Sequence, residues 1–79
     1  MKARVVECFC LDGAWYAYLD WPEAWIGWEY KVRICGLEAR GEGLYIGKAV
    51  LKVGPLPRPL PRGGTVEFEA RPVMRLYPA

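Results

Sequence analysis

The groups able to do covalent or acid–base chemistry in this chain are few. There is no His, Ser, Asn or Gln, and the single Thr is Thr65. The usual general base and the hydroxyl nucleophile of a relay are therefore missing, and no glycine-rich phosphate loop of the G-x-x-x-x-G-K-[ST] or G-x-G-x-x-G type occurs. Three thiols remain, Cys8, Cys10 and Cys35. They are too few, without His, to complete a four-ligand zinc site, and an odd set cannot be wholly paired within one chain, although one bridge from Cys35 to Cys8 or Cys10 is open. Cys8 and Cys10 alternate with Glu7 and Phe9 and fall on an apolar strand face, where a thiol behaves as a small inert hydrophobe. The expectation is a protein that is not an enzyme and uses neither cofactor nor metal.

Binding chemistry is better represented. Phe9, Tyr16 and Tyr18 come together on one face of a hairpin, and exposed rings on a strand are platforms on which nucleic-acid bases stack for about 1–3 kcal/mol each. Lys31 and Arg33, with Lys48 and Lys52, are the cations that could hold the phosphates. Glu7 and Asp20 share the aromatic face and oppose a phosphate track, a feature that suits a protein contact better. A second basic element is the run from Gly54 to Gly64, in which Pro-Leu-Pro-Arg occurs twice in tandem. Its prolines fall at every second position, so the P-x-x-P spacing read by proline-binding domains is absent, and the segment reads as a stiff extended connection. Arg58 and Arg62, four apart on it, form a candidate basic finger. The tryptophans at 15 and 28 fall on core faces, and Trp25 is the one expected outside. Glu38, Arg40 and Glu42 read as a solvated turn.

The elements that must position these residues are strands. Five segments, roughly 2–11, 14–21, 27–35, 44–53 and 64–77, are rich in β-branched and aromatic residues and are separated by Gly or Pro. Asp12-Gly13 is a strong two-residue hairpin signal because both turn residues must take positive φ. It pairs Leu11 with Ala14 and, further out, Phe9 with Tyr16 and Val6 with Leu19. That register puts Val6, Cys8, Cys10, Trp15, Ala17 and Leu19 inward. Trp28, Tyr30, Val32 and Ile34 alternate with charged neighbours, as do Tyr45, Ala49, Leu51 and Val53, and Val66, Phe68 and Ala70. Pro72 marks an edge or a bulge. The 21–27 connection has room for one helical turn, and 36–43 reads as a polar loop.

Seventy-nine residues support one core, since a chain of this length buries about 60% of its unfolded surface. With 53% hydrophobic residues and four Trp it is core-rich, which excludes disorder. The expected fold is all-β, a small five-stranded antiparallel barrel or meander of OB-like or SH3-like architecture, as one domain over 1–79 with a Pro/Arg-rich connection at 54–64. The lack of thermolabile amides, seven Pro, and seven Arg against four Lys point to a heat-adapted source. A net charge of +2 neither requires nor forbids a polyanionic partner. No apolar stretch reaches membrane-spanning length and no signal-peptide pattern is present, so a cytoplasmic protein without a membrane partner is expected. The functional expectation is a non-catalytic binding module for single-stranded DNA or RNA through Phe9, Tyr16, Tyr18, Lys31, Arg33, Arg58 and Arg62. The alternative is a protein-interaction or assembly subunit, a homo-oligomer or a component of a larger complex, that buries the same aromatic face.

Overall fold

The computed structural model describes residues 1–76. It contains six antiparallel strands: β1 (Lys2–Leu11), β2 (Ala14–Asp20), β3 (Trp28–Ile34), β4 (Leu37–Tyr45), β5 (Ala49–Leu56) and β6 (Thr65–Arg75). They close into a barrel in the order β1-β2-β5-β4-β3-β6. Asp12 and Gly13, with φ of 51° and 81°, make the expected tight turn, and Leu11 pairs with Ala14 and Phe9 with Tyr16. No helix is present among the described residues, and none is long and apolar enough to cross a membrane.

The expected barrel is present with six strands in place of five. The additional strand, β4, covers the segment read from sequence as a loop. It follows a second two-residue turn, in which Cys35 (φ 53°) and Gly36 (φ 74°) connect Ile34 to Leu37. The residues of β4 that face the interior are Ala39, Gly41 and Gly43, so the apolar alternation that marks a strand is missing from it. Close packing explains those glycines. A Cβ at Gly41 would lie 2.8 Å from Val32 Cγ2 and 2.9 Å from Leu51 Cδ1, and one at Gly43 would overlap the Trp25 carbonyl. The adjoining strands and the Trp25 backbone use the space this leaves, and elsewhere in the core Trp21 packs edge-on against Tyr30 and Phe68, with ring centroids 5.6 and 5.4 Å away. The buried core is completed by Val5, Ala17, Leu19, Val32, Ile34, Leu51, Val53 and Leu56.

Three further expectations are corrected. A bulge between Val5 and Glu7 pairs Val5, not Val6, with Leu19, and Val5 is the buried residue. Beyond the bulge the expected register holds, but the hairpin projects past the core, leaving Cys10 exposed and Cys8 and Trp15 half-buried. Tyr45 is exposed where it was expected inward, because it closes the β4–β5 turn. The 21–27 connection holds a turn, with Ala24 N–H donating to the Trp21 carbonyl, rather than a helical turn. It is tied to the barrel by the Trp25 N–H, which donates to the Tyr30 hydroxyl at 2.6 Å, and by the Gly27 N–H, which donates to the Gly43 carbonyl at 2.9 Å. Pro72 does sit beside a bulge, between Glu29 and Tyr30 on the facing strand, and β6 continues past it to Arg75.

The role assigned to the empty face of β4 has a direct check. Gly43→Ala is expected to lower unfolding free energy by about 1–3 kcal/mol, the usual cost of overpacking, whereas the exposed change Lys31→Ala should cost under about 0.5 kcal/mol. Urea melts of the two variants side by side measure this, and equal midpoints would remove the packing argument.

Candidate nucleic-acid interface

The outward side chains form rows around the barrel, because each outward residue has a cross-strand partner on the next strand. One row runs Glu7, Tyr18, Lys52, Glu42, Glu29, Met74. In the row beside it, Phe9 pairs with Tyr16, and on the far side of β5 Gly54, Arg40, Lys31 and Arg71 pair in sequence. Tyr16 alone faces Gly54 and Pro55, the two residues of a bulge in β5, and its ring lies on Gly54. Gly54 has a φ of 154°, and a Cβ there would overlap the Tyr16 ring and approach the Trp15 carbonyl to 2.8 Å. Gly54 thus seats the tyrosine.

Phe9, Tyr16 and Tyr18 form a compact trio. Phe9 is stacked on Tyr16 with centroids 5.7 Å apart and planes 20° from parallel, and it tilts against Tyr18 at 5.1 Å. All three are half-buried, which leaves ring surface open to solvent. The cation nearest the trio is Lys52, whose Nζ stands 5.2 Å from the Tyr16 ring centroid. Beyond Lys52 lies an open groove of about 390 Å³, bounded by Tyr16, Lys52, Gly54, Pro55, Arg40 and Glu29. Arg40 Nε donates to Glu29 Oε1 at 2.6 Å across its far wall.

The predicted site residues divide between two flanks. Phe9, Tyr16 and Tyr18 are together as expected. Lys31 and Arg33 are not with them, because β2 and β3 are three places apart in a ring of six and their outer faces point in opposite directions. Arg33 is further flanked by Glu38 and Glu69 as register partners. Arg62 does return to the aromatic side, where its guanidinium lies 3.5 Å from Glu7, and Arg58 is exposed on the connection. That connection folds over the seam between β1 and β6: Val5 N–H donates to the Gly64 carbonyl, Gly63 N–H donates to the Val5 carbonyl, and Leu60 packs on the core.

The two acids that opposed a phosphate track are both partnered. Glu7 faces Arg62, and Asp20 accepts from Lys48 Nζ at 3.2 Å. Such exposed pairs contribute little stability, but each sets a cation beside its acid, while Glu42, the register partner of Lys52, and Glu29 line the groove beyond. Lys52 was named from sequence as a possible phosphate contact without a place in the leading set, and Arg40 was read as part of a solvated turn. The alternation Glu38-Ala39-Arg40-Gly41-Glu42 could have revealed Arg40 as an outward strand residue, had the glycine been counted as an inward one. The arrangement supplies ring faces and cations at fixed spacing.

The chain matches no family model, and neither the curated proteins nor the solved structures contain a match to it.

Gly54→Ala tests how Tyr16 is held. The variant should lose about 1–3 kcal/mol of stability and show an altered near-ultraviolet aromatic circular dichroism signal, since the ring must leave its seat. An unchanged aromatic signal in a folded variant would show that Gly54 does not position Tyr16.

Proposed function

We propose that this chain is a non-catalytic binding barrel that holds single-stranded nucleic acid across the Phe9, Tyr16 and Tyr18 surface. The observation that carries the reading is the stacked aromatic trio with Lys52 beside it and Glu7 and Asp20 at its margin held in ion pairs. Bases stack on ring faces irrespective of sequence, and a cation a few ångströms away meets the following phosphate. Arg62 borders the trio on the Glu7 side, and Arg40 stands across the groove past Lys52, so the strand's path runs from β1 toward β4. With few cations on that path, binding is expected to be modest in affinity, weakly selective for sequence and sensitive to salt.

A second reading, a protein-assembly subunit, draws on a separate feature. Trp25 and Ile26 are 54% and 55% exposed, and Tyr45 and Ile46 are 66% and 49% exposed. The first pair packs its backbone against Gly43, two residues before the second pair, so all four belong to one end of the barrel. An apolar group of that kind suits a protein contact more than a phosphate chain.

Fluorescence anisotropy with labelled oligothymidylate at two salt concentrations tests the first reading. Tyr16→Ala or Tyr18→Ala should weaken binding by roughly 5- to 150-fold, the equivalent of about 1–3 kcal/mol for one lost stack. Lys52→Ala should reduce the slope of log affinity against log salt by about 0.7, and Arg33→Ala, on the opposite flank, should leave both quantities unchanged. Absence of binding at low salt, or equal losses from Lys52 and Arg33, would overturn it.

A further inference from the structure

The barrel is sealed unevenly. β1 and β6 pair through Lys2 to Arg4 with Thr65 to Glu67, and the seam is extended by one residue at each end, where Met1 bonds Phe68 and Val5 bonds Gly63 and Gly64. Past Val5, the edge of β1 turned away from β2 continues as far as Leu11. In a hairpin closed by a two-residue turn, the residues flanking the turn form a hydrogen-bonded pair and such pairs recur at every second residue. Leu11, Phe9 and Glu7 therefore exchange bonds with β2, while Cys8 and Cys10 aim their N–H and C=O groups outward. On that side neither residue has a backbone partner among the described residues.

Exposed edges are normally guarded by charge or proline. The open edge of β6 is guarded in this way, by Arg71, Pro72 and Arg75. The β1 edge has no such guard: Cys8, Phe9, Cys10 and Leu11 carry neither charge nor proline, and Cys10 and Leu11 are exposed. We infer that this edge pairs with a second copy of the same chain, β1 against β1 in antiparallel register about a two-fold axis at Phe9.

Register singles out that axis. Centred on Phe9, Cys8 of each chain meets Cys10 of the other, and all the outward backbone groups of both residues are used. Centring on Cys8 would bring Cys10 opposite Val6, inside the bulge, and centring on Cys10 would bring Cys8 opposite Asp12, inside the turn. A Glu7-centred register would set two like charges face to face and run into the Gly63 and Gly64 seat. The Phe9 register places Glu7 opposite Leu11 and Phe9 opposite Phe9. A two-fold contact of this kind is self-complementary, which favours a second copy over a foreign strand. It would also set two aromatic trios side by side on one continuous sheet, but it does not depend on what those trios bind.

Sedimentation analysis over a concentration series, without nucleic acid, tests the pairing. The native chain should show a monomer–dimer equilibrium, and Cys10→Pro, which removes one outward N–H that the barrel itself does not use, should shift it to monomer with an unchanged far-ultraviolet spectrum. Disulfide trapping of the native chain keeps the test open should that variant not fold. Paired strands bring opposed Cα atoms to about 5.5 Å, within bridging range, so an added thiol oxidant should yield a covalent dimer whose linked peptides join Cys8 to Cys10. Each bridge gives up two protons and two electrons to that oxidant. A monomer at every concentration, or a covalent dimer joined through Cys35, would overturn the inference.

Discussion

The interior of a six-stranded barrel is narrow, and the rest of this structure depends on how its volume is shared. β4 contributes Ala39, Gly41 and Gly43 to the inside and so contributes almost nothing, while Val32, Leu51 and Tyr30 of the two adjoining strands close over Gly41. Interiors are packed to the density of organic crystals, so side chains that close over a strand in this way require small residues on it. The same economy lets the 21–27 connection come down onto the Gly43 backbone and donate to the buried Tyr30 hydroxyl, which gives that polar atom a partner inside an otherwise apolar core.

The outer surface follows from the inner one. Once inward positions are fixed, outward residues fall into rows, and bulges decide where the rows bend. Val6 is the extra residue of β1, and Gly54 and Pro55 of β5 together oppose Tyr16, so β2 adjoins a bulge on each side. Bulges add local twist and re-aim side chains. Here they accompany an aromatic trio at the base of a hairpin that extends beyond the core, with Tyr16 laid on the Cβ-free backbone of Gly54. The aromatic surface and the unguarded β1 edge thus share an origin in one long hairpin that the barrel covers for only part of its length.

Much of this was legible in the chain. Asp12-Gly13 fixed one turn and the pairing of residues 8–11 with 14–17, and alternation in 28–34 and 66–70 identified inward faces correctly. The register failed at Val6 because a bulge residue that follows another valine leaves no compositional mark. β4 was missed because glycine, which normally weakens a strand, occupies the positions where a core residue would announce one, and because its turn uses Cys35 at positive φ, where Asn, Asp or Gly is usual. The candidate site was half legible. Local pairing brought the three rings together, but the order of strands around a closed ring is a non-local property, and Lys31 and Arg33 were joined to the rings for want of it.

We propose that the surface of β1, β2 and β5, not that of β3 and β6, receives single-stranded nucleic acid. An amide-resonance NMR titration with a short oligothymidylate addresses it most directly, because it reports on every strand at once without mutation. The expected result is a set of shifts confined to residues around Phe9, Tyr16, Tyr18, Lys52 and Gly54, with the amides of Lys31, Arg33 and Glu69 unmoved. Shifts centred on β3 and β6, or none at saturating oligonucleotide, would contradict the account.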